Sequence, residues 1–422
     1  VTAANPTPAT PASGSPTAAN ATATPAATPP AAATPTASLP PATATITPTP
    51  VLPGPALPIS LPGRGEPAAG DGPGFILFNR RGALWRADLA TGAETELLPE
   101  ARHFRMAPDG SLLAYVVGDA LYLADRDGAD PKLIAQRVIG APDWAPDSSA
   151  LALTIEPSDL PETVTWTCHD AGTVAIVELG AATIRPVAAG CDPAWAPDSQ
   201  RLAYVTGWDG AYFPRENIQD SVRIINRDGS GDWAALSGPL KSDEFWDHRV
   251  LFRAPAWDAS GDYLTVFADA GSGPVDISNV SLERVDARRG GGQLIDVWQS
   301  VLYWSGRRAP DGRLAFAMEH YAPNPSVAAL APDGPPRATE VRSDFPPITA
   351  RTEVLFEGAK VTAPAWSPDG GQLAVIRCLE VDRGCDYQKQ AGADVRLLGE
   401  SGLAEQPLIR EVDLKGELEW HR

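Results

Sequence analysis

Three stretches of this chain are variants of one heptapeptide: Pro142-Asp-Trp-Ala-Pro-Asp-Ser148, Pro193-Ala-Trp-Ala-Pro-Asp-Ser199 and Pro364-Ala-Trp-Ser-Pro-Asp-Gly370. Each runs into an apolar segment, Leu151 to Ile155, Leu202 to Thr206 and Leu373 to Ile376. Looser copies stand at Met106-Ala-Pro-Asp-Gly110, Pro255-Ala-Trp-Asp-Ala-Ser-Gly261 and Arg308-Ala-Pro-Asp-Gly312, again ahead of apolar runs. A unit repeated six times constrains the fold more than any compositional figure. It implies a supersecondary element that buries its apolar face only against its neighbours.

The motif has a mechanical reading. Pro presets φ at the second turn position, Asp caps backbone N–H groups and Gly or Ser closes the turn, so the flanking segments form a hairpin. The Trp ahead of it is large enough to fill the wedge between neighbouring sheets. A second signature follows the hairpin at Ala120-Leu-Tyr-Leu-Ala-Asp-Arg-Asp-Gly128 and Ser221-Val-Arg-Ile-Ile-Asn-Arg-Asp-Gly229, and in weaker form at Val327 to Gly334. These read as third strands ending in another Asp-Gly turn, with a short fourth strand beyond. Four strands per unit of roughly 50 residues make a propeller blade.

In these motifs the chain resembles the WD40-like repeats of TolB-type β-propellers over residues 75 to 422. The resemblance implies an all-β propeller. It says little about function, because one fold hosts many. The ends supply a further blade: Phe75 to Asn79 reads as a second strand, Ala83 to Asp88 as a third, and Gly416 to Trp420 as the missing first. Pairing of 416–420 with 75–88 would close the ring and remove its free edges. Seven four-stranded blades are expected, with six or eight as alternatives.

Ahead of the repeats the composition breaks. From Val1 to Gly63 there is no Asp, Glu, Lys, Arg or His, and 18 of the 43 prolines fall by Pro73. Such a stretch favours polyproline II or disorder, so residues 1–73 are expected to be a Pro/Ala/Thr-rich stalk or arm and 74–422 the propeller. Within the stalk, Leu57, Ile59 and Leu61 alternate, which puts three aliphatic side chains on one side of an extended strand. They read either as a linker into the first blade or as an arm that docks on a groove or sheet edge of its own or a neighbouring propeller.

With 53 acids against 34 bases, net charge −19, the chain is not expected to bind nucleic acid or anionic membrane. No apolar run nears the roughly 20 residues that span a bilayer. Cys168 with Cys191, and Cys378 with Cys385, form two local groups without metal-site spacing. Two local disulfides and an oxidising compartment are expected. No export signal is visible, so extracytoplasmic location, secreted or at the cell surface, is inferred from the stalk and the cysteines.

Long insertions mark where binding would sit. Residues 156–171 carry Trp166 and His169, and 207–220 carry Trp208, Tyr212 and Phe213. Residues 238–254 carry Phe245, Trp246 and His248, and 319–325 carry His320 and Tyr321. With 342–361 and 378–391 they are expected on the face opposite the short Asp-Gly turns, where aromatic loops on a rigid scaffold form binding surfaces. The alternative is that the rings only pin long loops to the domain. The histidines lack partners at ligand spacing. Asp125 to Asp130 and Asn226 to Asp232 look like calcium loops but coincide with the repeated turn and lack a late bidentate acid. No metal, other cofactor or catalytic residue is therefore expected, nor an enzyme: propellers of prolyl-oligopeptidase type work beside a hydrolase domain, and no Gly-x-Ser-x-Gly elbow occurs. The leading expectation is a protein-interaction or scaffold module. A structural subunit of a surface layer or filament, self-associating through the arm, and a glycan-binding or hydrolytic propeller are the alternatives.

Overall fold

The structure, a computed structural model, describes residues 55–64, 74–156, 172–206, 221–237, 250–270, 279–298, 300–309, 313–319, 326–330, 337–338, 349–350, 352–357, 361–379, 392–399 and 402–422. The chain divides into two units, Val1–Pro48 and Thr49–Arg422, and every described residue belongs to the second. Strands and turns make up that part. No helix among the described residues is long and apolar enough to cross a membrane.

Among the described residues seven antiparallel sheets of four or five strands follow one another, beside one two-stranded sheet. Sheet one is Leu418–His421, Phe75–Arg80, Ala83–Asp88 and Glu94–Leu98, so its first strand comes from the far end of the chain. Sheet two is His103–Met106, Leu112–Val117, Ala120–Asp125 and Lys132–Ala135. Sheet three is Val138–Trp144, Ala150–Ile155, Thr173–Glu178 and Thr183–Ala189, with a fifth strand, Leu57–Pro58, on its outer edge. Sheet four is Cys191–Trp195, Arg201–Thr206, Ser221–Asn226 and Trp233–Ser237. Sheet five is Val250–Trp257, Tyr263–Ala270, Asn279–Asp286 and Gly292–Trp298. Sheet six is Ser300–Arg308, Leu314–Glu319, Ser326–Leu330 and Thr352–Glu357. Sheet seven is Val361–Trp366, Leu373–Cys378, Ala393–Gly399 and Gly402–Leu403, with Ile409–Val412 also paired to its third strand.

The first strand of each sheet neighbours the first strand of the next, and that of sheet seven neighbours Leu418–His421, so the circuit closes. Closure is made in register: Phe75 pairs His421, Ile76 pairs Trp420, Leu77 pairs Glu419 and Phe78 pairs Leu418. Gly74 at this junction has φ 80°, and a Cβ there would lie 1.8 Å from the His421 carbonyl oxygen. Only glycine fits so close an approach.

Among the described residues the apolar side chains form separate clusters rather than one central core. Apolar side chains collect in wedges between adjoining sheets, and the Trp of each motif fills one. Trp144 lies between sheets two and three, Trp195 between three and four, Trp257 between four and five, and Trp366 between six and seven. Met106 takes that place between one and two, and Trp420 packs between seven and one. Period-two alternation in strands covered on both faces explains why the second strands read as near-continuous apolar runs.

One expectation is corrected. The insertion 342–361 was expected on the face opposite the turns, yet the fourth strand of sheet six is Thr352–Glu357. The connection ahead of it therefore joins third to fourth strand and belongs to the turn face, where Arg337–Ala338 pairs Thr349–Ala350 in a small hairpin. The weak Asp-Gly at 333–334 hid the length of this connection.

Candidate functional site

Trp166, His169, Trp208, Tyr212, Phe213, Phe245, Trp246, His248, His320 and Tyr321 all lie outside the described residues, as do Cys168 and Cys385. Their flanking strand ends are described. Ile155 pairs Thr173, Thr206 pairs Ser221 and Met318 pairs Ser326, so these insertions join second to third strands. At one mouth the Thr206 and Ser221 hydroxyls lie 2.6 Å apart. Cys191 and Cys378 are buried, and no cysteine among the described residues is free.

Around the inner ring the motif performs work that its sequence pattern only half discloses. In the first strands of sheets four, five and seven the residue before the motif proline adopts positive φ: Asp192 at 49°, Ala254 at 46° and Ala363 at 46°. Strand pairing slips at those points, between Cys191 and Ala194, Arg253 and Ala256, and Thr362 and Ala365. Each slip is a bulge, which re-aims the neighbouring groups at some cost in backbone strain. The re-aimed groups stitch one sheet to the next. Asp143 accepts the Trp195 main-chain N–H at 2.7 Å, and Asp192 accepts that of Ala254 at 3.3 Å. The indole N–H of Trp144 donates to the Arg105 carbonyl, and that of Trp257 to the Ala194 carbonyl, both at 3.0 Å.

The turn face is stitched similarly. Asp109, Asp147 and Asp369 cap their own turns, through Ser111, Ser149 and Gly371 N–H groups at 2.9 Å in each case. Hydrogen bonds from Ser149 hold the Asp147 carboxyl low against the burial that would raise it. Where other copies close with Gly, Ser148 and Ser199 hold φ 57°. Their hydroxyls accept the N–H of the preceding blade's turn, Asp109 at 2.9 Å and Asp147 at 3.1 Å. The Arg opening a second strand lies over the next motif ring: Arg201 over Trp257 at 5.0 Å and Arg313 over Trp366 at 4.3 Å.

The densest ionic group sits at the closing seam. The Arg105 guanidinium is bonded to Glu417 and lies 3.7 Å from Glu419, while His103 Nδ1 lies 2.7 Å from Glu417. Met106 N–H donates to Glu419 at 2.9 Å, and His421 Nε2 lies 3.1 Å from the same carboxylate. Burial alone would push the Arg105 pKa down, but the two carboxylates outweigh it and raise it. This cluster joins chain end to chain start as a latch. Among the described residues no three His, Cys, Asp or Glu side chains are grouped to hold a metal ion.

The arm is the second candidate. Leu57 pairs Ile184 and Pro58 pairs Thr183, then Ile59 N–H donates to Ala182 O at 2.9 Å. Ile59 and Leu61 pack into the wedge between sheets two and three beside Ile184, and Pro62 is buried. Further on, Gly63 N–H reaches Asp130 at 3.4 Å, and Arg64 lies 3.7 Å from Asp109. Residues 57–64 thus lie along the rim of sheet three of the same chain. Leu57 itself is 58 % exposed, and Ile59 and Leu61 are half-buried.

No protein-family model matches the chain, and no curated protein matches it. Among solved structures it is similar to a chain from a structural and mechanistic analysis of two prolyl endopeptidases, at 13% identity and TM-score 0.50, covering 85% of this chain and 50% of that one. It is also similar to an oligogalacturonate lyase solved in complex with manganese, at 14% identity and TM-score 0.49 over 84% of this chain and 99% of that one. TolB from Acinetobacter baumannii matches at 15% identity and TM-score 0.40, over 83% of this chain and 67% of its own. The fold is a β-propeller.

The expectation of an all-β propeller built from repeated four-stranded units thus stands at the level of fold. The expectation that the chain is not an enzyme does not. A propeller of this build is part of prolyl endopeptidases, so the fold is one that serves catalysis. That expectation rested on a missing short motif, whereas catalytic groups on a propeller can come from separate loops that no motif reports.

Proposed function

We propose that this chain is an extracytoplasmic propeller, carried on its Pro/Ala/Thr stalk, that serves protein partners as an interaction or scaffold module. The observation that supports this most is the docked arm. A Pro/Ala/Thr-rich segment without charged residues precedes a strap fixed on the propeller rim, an arrangement that suits display of the domain to a partner. The net charge of −19 favours partners with basic or apolar surfaces over nucleic acid. In an oxidising compartment Cys168 bonds Cys191, pinning the insertion of the third blade to the entry of the fourth, and Cys378 bonds Cys385 within a single insertion. The strap's partner is its own third sheet, so no inter-subunit contact is needed to cover Ile59 and Leu61, and display by a monomer is favoured over a filament.

The test is in two parts. Protease added to intact cells should digest the propeller, and in-cell cross-linking should give adducts that disappear when Trp208, Phe245 and Trp246 are changed together to Ser. A propeller protected until lysis, or adducts indifferent to the triple change, would remove the reading.

A further inference from the structure

We propose that the groove between the second and third blades, with the outer edge of the third, is a binding site for an extended peptide of a partner protein, and that residues 57–64 are its resident, displaceable ligand. This surface is separate from the loop face and goes beyond the display role. Adding a strand to a sheet edge, with alternate side chains entering pockets, is a general mode of peptide recognition.

The arm spells out the chemistry the groove accepts. Its main chain pairs with Thr183 and Ile184, Ile59 and Leu61 enter the wedge two residues apart, and Pro62 is buried where no N–H is called for. Beyond them Arg64 points to Asp109, and Asp130 receives the Gly63 N–H. A fitting partner segment is therefore extended, carries two aliphatic residues two apart, tolerates proline, presents a backbone N–H to Asp130 and ends in a cation that meets Asp109.

The resident holds on lightly. Its strand is two residues long, although the edge it lies on runs from Thr183 to Ala189. Residues 55 and 56 continue past it without pairing. The Arg64–Asp109 pair is 50 % and 33 % exposed, where ion pairs contribute little. A partner segment that pairs further along the edge out-competes it.

A fluorescein-labelled peptide of residues Pro55 to Arg64 titrated by anisotropy into the full chain tests this. An Ile59→Ser/Leu61→Ser chain, whose own arm is weakened, should bind the peptide at least tenfold more tightly than wild type. Adding Asp130→Asn should weaken that binding several-fold, and a peptide carrying both Ser substitutions should not bind. Equal affinity for both chains, or no binding to the double variant, overturns the proposal. Should the double variant precipitate, hydrogen exchange on the wild type decides. Excess peptide should strip protection from the Ile59 amide, and an Ile59 amide that stays protected overturns the proposal. Self-association of the chain that the peptide dissolves would instead assign the groove to a second copy's arm, against the proposal as stated.

Discussion

Replacing Arg105 by Met tests the latch that shuts the ring. Arg105 is 7 % exposed and stands between Glu417 and Glu419, and Glu419 is equally buried. Removing the cation leaves two carboxylates close together in a poorly solvated seam. Breaking a buried ion pair from one side costs about 3 to 5 kcal/mol. At roughly 2 °C per kcal/mol for a chain of this size, Tm should fall on the order of 10 °C. The pH response gives the argument its sign. In the variant, burial and mutual repulsion raise the folded-state pKa of the two carboxyls above the unfolded value of about 4.3. A raised folded pKa means that the penalty is present near pH 7 and shrinks as pH falls toward 5. Urea unfolding followed by Trp fluorescence at pH 7 and pH 5 reads both effects. Changing Glu417 and Glu419 to Gln on the Arg105→Met background should recover most of the loss. A loss under about 1 kcal/mol at pH 7, or one independent of pH, would refute the latch as an electrostatic device.

Gly74→Ala places a Cβ against the His421 carbonyl and should cost about 3 kcal/mol or more, whereas Gly92→Ala, at φ 71° with open space around it, should cost only about 1 kcal/mol by urea titration. The turn carboxylates Asp88, Asp228, Asp286 and Asp369, together with Asp147 and Asp198, have lowered pKa values because Ser, Thr and backbone N–H groups bond their ionised forms. Lowered folded pKa values stabilise above the unfolded value near 4, so thermal melts should hold above about pH 5 and fall steadily as pH drops below 4. Deleting Glu417 to Arg422 opens a sheet edge and empties the latch, and should lower Tm far more than deleting Val1 to Pro50, which should leave melting unchanged. Peptide mapping without reduction should recover Cys168 joined to Cys191 and Cys378 to Cys385 when the protein is purified from an oxidising compartment.

The fold was legible because its signals are local. Pro-Asp-Gly turns and apolar second strands lie within a dozen residues of each other, and the displaced first strand could be recognised because Trp420 occupies the motif-Trp place. What escaped depends on groups far apart in sequence. Nothing around Arg105 announces Glu417, 312 residues away. Ser148 reads as a mere substitute for Gly until its hydroxyl is seen on the Asp109 N–H of the preceding blade. The bulges at Asp192, Ala254 and Ala363 were hidden because a residue before proline is normally extended. The alternation of Leu57, Ile59 and Leu61 was readable as a strand, but its partner was not, since any unpaired edge accepts such a segment.

The arm lies on the outer strand of sheet three, pairing with its first two residues. The outer strand of sheet one carries exposed Glu94 and Glu96, and that of sheet two begins with Lys132, charges that discourage further strand addition. The outer strand of sheet three begins Thr183-Ile184, and Ile184 is packed beside Ile59 and Leu61 in the wedge. Without the strap this apolar edge would meet water next to unpaired backbone groups, the combination that recruits other chains. One short segment thus covers a vulnerable edge. Both the pairing and the apolar contact rest on the same few residues, Leu57 to Leu61, so a change at Ile59 or Leu61 should expose the edge as well as free the strap.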